Sequence, residues 1–428
     1  LAYELRRYPT NVAVRAPFPE AVIEENEAFW SQSGAKAIQA LLPFITPPLA
    51  EGQPPLRQRF MDRLHIPFEA NSLALALGKM YSHSLDYWGV EAQRAGHLEQ
   101  AGIHFAQASE LNPDNVVAQI NLTFNKNLRS GQHDPIQIGS SLEDRFGKYR
   151  SWDQMMIDNG PFDEPSFCFA LGRLFMQGNL SRAAAENFAR VIELDPDNLA
   201  ARFFLARLFL ISKDPEKALP LVDELNARAS SADNPQVNST EILQLNLMAR
   251  LINNQTAQAD EITRSVLKKQ PPDTNGLNAL VSAYSALGRY SNALPIVDKQ
   301  LEIDPANSVA LVNRGFINIQ LGNYERAIPP LSAVLAQDTT NYPALLNRAI
   351  AYYRSDKLPE AQQDYQTLQS IYPKAYPVYF GLGEIAYRNK DTNAAIQYYN
   401  LYLSNSPPNN PELKVVRERL GSLKPAPR

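Results

Sequence analysis

Small and apolar residues recur along this chain on a 34-residue ruler. Ala259, Ala293, Ala327, Ala361 and Ala395 keep that interval, and Pro271, Pro305, Pro373 and Pro407 keep it too. Twelve residues before the alanines stand Leu247, Val281, Gly315, Ala349 and Gly383, and four residues after them Thr263, Val297, Leu331, Tyr365 and Tyr399. These offsets predict two helices per period, meeting where a small residue in the first (helix A) faces the alanine of the second (helix B) and the larger residue one turn on fills the gap. Proline then ends helix B, because it lacks an N–H and biases its predecessor away from the α region. A unit of this size cannot bury its apolar face alone, so the ruler predicts a stack of helix pairs.

The pattern extends upstream with interruptions. Gly172, Ala184, Phe188, Val191 and Pro196 fit it, as do Ala206, Ala218, Val222 and Leu225, and earlier Trp88, Gly89, Gly96, Ala101, Phe105, Ala108 and Pro113. Between them the helix-A pattern recurs around Thr123, but its helix B gives way to a Pro- and Gly-interrupted insertion from Gly131 to Pro165. In all about nine units result. Residues 1–69 fall outside the period. Tyr8–Pro17 reads as extended, with Val12 and Val14 on one face, a helix begins near Glu20 and another covers Lys36–Phe44, and Ile45–Pro55 is a proline-rich connector. The domain reading is an N-terminal cap at 1–69, repeats with the insertion at 70–165, two repeats and a long loop at 166–240, five regular repeats at 241–408, and a capping helix and tail at 409–428.

Leu321-Gly322-Asn323-Tyr324, followed by Ala327 and Leu331, resembles the tetratricopeptide repeat family, and the resemblance covers residues 70 to 408. It implies an all-α fold: a right-handed α-solenoid of stacked antiparallel helix pairs, with its first helices lining a concave groove that takes a peptide or protein partner.

Composition narrows the function classes. A formal net charge of -4 provides no global basic field for nucleic acid, so no nucleic-acid partner is expected. No apolar run is long enough for a membrane span, and Leu1–Arg7 is not a signal peptide, so compartment stays open. The single cysteine, Cys168, reads as a small buried hydrophobe. His65, His83, His97, His104 and His133 have no metal-ligand spacing, and neither a phosphate loop nor a nucleophile elbow occurs. The chain is therefore read as no enzyme, with no catalytic, cofactor or metal residues.

Candidate partner-binding residues lie on the first helices. Two positions before the small residue stand Asn121, Asn313 and Asn347, and an amide there can pair with any extended backbone through one donor and one acceptor. This is similar to the asparagine ladder in the repeat domain of nucleocytoplasmic O-linked N-acetylglucosamine transferases, although Ala170, Phe204, Leu245, Ala279 and Gly381 interrupt it here. Val312 and Leu346 stand where a carboxylate clamp of the family would need lysine. Tyr353-Arg354 and Tyr387-Arg388 repeat one period apart and have the composition of a binding hot spot.

The sequence thus points to a non-enzymatic scaffold that binds a peptide or protein in the concave groove. The competing readings are a soluble appendage of a membrane-associated or multi-subunit assembly, docked through the N-terminal segment, and head-to-tail self-association into homo-oligomers.

Overall fold

The computed structural model describes residues 14–45, 70–133, 151–229, 238–408 and 412–423, with the isolated positions 63, 136, 146, 149 and 410. Among these residues every regular element is helical. The chain divides into two compact units, Leu1–Val237 and Asn238–Arg428.

In unit 1, α1 (Glu20–Phe29) continues through a π-helical turn at Trp30–Gly34 into α2 (Ala35–Leu41). The two N-terminal helices expected from the sequence are thus one continuous helical segment, in which Gly34 lets the Trp30 ring lie against the backbone. Val14–Pro19 has no regular secondary structure; Tyr8–Ala13 and the proline connector after Ile45 lie outside the described residues. The repeats follow as α3 (Ser72–Arg94), α4 (Leu98–Leu111), α5 (Val116–Arg129), α6 (Trp152–Asn159), α7 (Pro165–Gln177), α8 (Ser181–Leu194), α9 (Leu199–Ile211) and α10 (Pro215–Ala229). Here α6 belongs to the insertion and packs on α3 and α5.

Unit 2 comprises α11 (Ser239–Ile252), α12 (Thr256–Leu267), α13 (Thr274–Ala286), α14 (Tyr290–Ile303), α15 (Ser308–Gln320), α16 (Tyr324–Gln337), α17 (Tyr342–Arg354), α18 (Leu358–Ile371), α19 (Tyr376–Arg388), α20 (Thr392–Asn405) and α21 (Glu412–Leu423). From α13 onward each helix packs on the one before it, and α15, α17 and α19 also pack on each other as successive A helices, giving an α-solenoid of antiparallel pairs.

The sequence ruler is a packing ruler. Ala101, Ala184, Ala218, Ala259, Ala293, Ala327, Ala361 and Ala395 have no exposed surface. Opposite them the A helices come equally close: a Cβ built on Gly89 would lie 2.6 Å from the Phe105 ring, one on Gly172 2.8 Å from Phe188, and one on Gly383 2.7 Å from Tyr399. No side chain fits there without moving the partner helix, so a small residue on one side and a large one on the other fix the pair's separation. Asparagines at the A-helix N-caps add local definition. Asn115, Asn198, Asn307 and Asn341 each accept from the backbone N–H three residues on, satisfying a donor the helix leaves unpaired. At the C-terminus α21 buries Leu413, Val416 and Leu420 against Tyr399 and Tyr402 and covers the last pair's apolar face.

The A-to-B turns keep the same register. Asn254, Gly288, Gly322, Asp356 and Lys390 are 34 residues apart and all have positive φ, between 56° and 77°. Glycine adopts this region freely, whereas a side chain there costs about 1 kcal/mol. Lys390 is exposed at φ 60°, so Lys390→Gly is expected to stabilise unit 2 by about 0.5–1 kcal/mol in urea denaturation. A lower unfolding midpoint for the variant would contradict this reading of the turn.

Candidate functional site

The three sequence-selected asparagines occupy one structural register. Asn121, Asn313 and Asn347 are each the sixth residue of their A helix, in α5, α15 and α17. Their surroundings differ.

Asn121 is fully buried and fully engaged, so it does not line an open groove as the sequence suggested. Its Nδ2 donates to the Pro161 carbonyl at 2.9 Å and to Asp86 Oδ1 at 3.0 Å, and its Oδ1 accepts from the Asp163 N–H at 2.8 Å. One amide side chain therefore reads both polarities of a backbone, and that backbone is the chain's own insertion. In the sequence the insertion is only an irregular break in the period, with no signal for where it folds.

The rest of unit 1 holds this segment tightly. Arg190 donates from Nε and Nη2 to the Asp163 carboxylate, each at 2.6 Å, and Gln93 Nε2 donates to the same carboxylate at 2.8 Å. Phe162 stacks on Phe167 with centroids 4.5 Å apart. Gly160, at φ 115°, presses directly on the Asp86 carboxylate, where a Cβ would clash. Asp86 is completely buried and its Oδ2 has no hydrogen-bond partner, so burial raises its carboxyl pKa well above the ordinary range, and the charge of Asp163 adds to the shift. Cys168 is buried beside this network, with its thiol pKa pushed up by burial, which leaves it a poor nucleophile.

On α15 and α17 of unit 2 no segment of the described residues is hydrogen-bonded to the asparagines of this register. Asn313 and Asn347 are half-buried, and their side-chain amides have no hydrogen-bond partner among the described residues. The neighbouring arginines are turned toward the B helices. Arg314 pairs with Asp298 at 2.9 Å, and Arg348 grips Asp364 through two nitrogens and reaches Ser332. Each A helix thus anchors itself through the arginine and leaves the adjacent amide free on the other side.

The Tyr-Arg pairs are largely spent on holding repeats together. Arg388 lies over the Tyr353 ring at 4.1 Å and reaches Asp356 at 3.4 Å, while Arg419 lies over Tyr387 at 4.3 Å. Glu384 collects Tyr399 at 2.7 Å, Arg419 at 3.2 Å and Tyr353 at 3.3 Å. Tyr353 and Tyr387 are half-buried; Arg354 and Arg388 are exposed. Burial, with the hydrogen bond to Glu384, raises the Tyr399 hydroxyl pKa, so it stays a donor. The structure therefore brings Asn313 and Asn347 together on adjacent A helices and leaves Asn121 in the other unit. Among the described residues no three His, Cys, Asp or Glu side chains are grouped to hold a metal, and no helix is long and apolar enough to cross a membrane.

Two measurements check the unit 1 network. Arg190→Ala leaves a buried carboxylate without its counter-ion and is expected to cost about 3–5 kcal/mol in urea unfolding, against under 1 kcal/mol if the pair contributes nothing. Asp86 is held above its unfolded pKa, so its contribution is complete below the ordinary carboxylate range and fades as pH rises through the raised value. Asp86→Asn removes that titration, and its melting temperature is expected to gain on the wild type steadily from acid to alkaline pH; a gap that does not change with pH refutes the assignment.

Family models described as tetratricopeptide repeat match residues 169–234 and 346–410, and a second such model matches residues 275–307. No curated protein sequence matches the chain. Among solved structures, a tetratricopeptide repeat protein from Parabacteroides merdae aligns at 16% identity, covering 60% of this chain and 98% of its own, with a TM-score of 0.41. MamA from Desulfovibrio magneticus aligns at 20% identity over 49% of this chain and 94% of its own, with a TM-score of 0.31. YrrB, described as a TPR protein with an unusual peptide-binding site, aligns at 18% identity over 46% and 97%, with a TM-score of 0.29. The 34-residue register and stacked helix pairs, with these family matches, show that the chain carries tetratricopeptide repeats.

Proposed function

We propose that this protein is an interaction scaffold, without catalytic activity of its own, whose unit 2 binds an extended segment of a partner protein across α15 and α17. The observation that carries the reading is inside the molecule: at the sixth position of α5, Asn121 already holds a non-helical backbone through one carbonyl and one N–H. Asn313 and Asn347 offer the same group at the same register with its hydrogen-bonding capacity unused. A half-buried amide with no side chain or backbone of the described residues on it is available to an incoming backbone through one donor and one acceptor.

The chemistry of the face suggests what it accepts. Val312 and Leu346 flank the two asparagines and are partly buried at the edge of the core. Apolar walls with amide rungs suit a ligand read chiefly through its main chain, with side chains of modest polarity. Successive A helices lie about 8–10 Å apart and an extended chain advances about 3.3 Å per residue, so neighbouring rungs fall about three ligand residues apart. Arg354 extends the same helix and is exposed at its end, where a ligand carboxylate can reach it.

We take α1 as a cap of unit 1, in preference to a free docking arm. Glu27 of α1 accepts from Trp88 Nε1 at 2.7 Å and contacts His104 Nε2 at 2.8 Å, and Glu20 lies 3.1 Å from His97. These contacts seat the helix on α3 and α4.

Peptides selected from a library against the full chain provide the test. Asn313→Ala with Asn347→Ala is expected to weaken a selected peptide about 100-fold, roughly tenfold for each lost amide, with helicity and melting unchanged. Undiminished affinity in the folded double variant would remove the assignment.

A further inference from the structure

The ladder register continues into α3, where it does something else. Tyr87 stands 34 residues before Asn121, and the chain's own residues 14–18 cross this stretch of helix. Arg15 places Nη2 3.0 Å from Glu91 Oε2 and Nη1 3.4 Å from the Tyr87 hydroxyl. Arg94 donates to the Arg15 carbonyl at 3.4 Å, and Phe18 stacks on Trp88 with centroids 6.3 Å apart. One helix face therefore reads a guanidinium, the carbonyl of the same residue and an aromatic three residues later.

Two features separate this from ordinary loop packing. Glu91 is a buried carboxylate, 2% exposed, and Arg15 is its foremost cationic neighbour. The partner is held less firmly: the Arg15 side chain is 35% exposed, and Arg94 Nε is buried without a hydrogen-bond partner. A buried anion must keep a cation, but nothing in the geometry demands that the cation come from this particular segment. The contrast with Asp163, whose carboxylate is locked to Arg190 in the interior, marks the Glu91 face as the exchangeable one.

We propose that the α3 face bearing Tyr87, Glu91 and Arg94 is a binding site for an arginine within an extended peptide segment, occupied in the free protein by the chain's own Arg15 and open to a partner's arginine that displaces it. The site is separate from the α15–α17 face and reads a side chain where that face reads backbone. At this register Tyr87 presents a hydroxyl that accepts from the guanidinium, where Asn121 presents an amide to a backbone.

The probe is a fluorescein-labelled peptide with the sequence of residues 12–20, alongside the same peptide with citrulline in place of arginine. Citrulline keeps the shape and loses the charge. With the full chain carrying Arg15→Ala, fluorescence polarisation is expected to show the arginine peptide binding about tenfold or more tighter than the citrulline peptide, and about tenfold tighter than it binds wild type. Adding Glu91→Gln to Arg15→Ala is expected to erase most of that discrimination. Equal affinity for the two peptides, or no binding by a folded Arg15→Ala chain, overturns the proposal. Wild-type protein supplies a second measurement that needs no variant to fold. Excess arginine peptide, and not the citrulline peptide, is expected to speed amide hydrogen exchange in residues 14–18 as they are displaced; unchanged exchange under excess peptide also overturns it.

Discussion

The B-helix alanines, from Ala101 to Ala395, have no accessible surface because the A helix of the same repeat lies against them too closely for anything larger. That contact sets the separation of each pair, and the residue one turn later, Phe105, Phe188, Leu331 or Tyr399, fills the space left beside it by a glycine of helix A. With the separation fixed, apolar faces of successive pairs match and can stack, so a local steric constraint becomes a long-range architecture. The 34-residue ruler does not fix which residue stands at the sixth position of an A helix. Asparagine, phenylalanine, alanine and glycine all occur there, packed as Phe204 is on Phe188 and Gly381 is against Tyr365, or half-buried as Asn313 and Asn347 are.

The interior of unit 1 shows what that freedom permits. Asn121 binds the insertion, Tyr87 binds the strap around Arg15, and both occupants are segments of this chain. Their bonding differs in kind. The insertion is sealed by a buried ion pair, stacked phenylalanines and the carboxyl of Asp86, whereas the strap lies at the rim with its arginine partly in water. Unit 2 presents the same register on α15 and α17 with no occupant among the described residues.

The repeat architecture was legible in the sequence because it is written by steric period: alanine, glycine and proline at constant offsets leave few other solutions. The cap helix at the C-terminus was legible for a related reason, since Leu413, Val416 and Leu420 keep helical spacing. The site was only partly legible. The register of the asparagines followed from the ruler, but their states did not, because whether an amide is open depends on where a segment distant in sequence folds. Pro161 and Asp163 lie about forty residues from Asn121 and carry no periodic mark. Tyr353, Tyr387 and Arg388 illustrate the opposite difficulty. Their composition suits an interface, and they form one, but it joins neighbouring repeats of this chain through Glu384 and Arg419.

The central claim is that the unit 2 face reads main chain, with Asn313 and Asn347 doing what Asn121 does in unit 1. A backbone N-methyl scan of a selected peptide tests this most directly, measured by calorimetry against the full chain. Two positions, about three residues apart, are expected where N-methylation abolishes binding while replacement of the side chain at the same position is tolerated. Affinity that survives N-methylation at every position, and falls only with side-chain replacement, would contradict it.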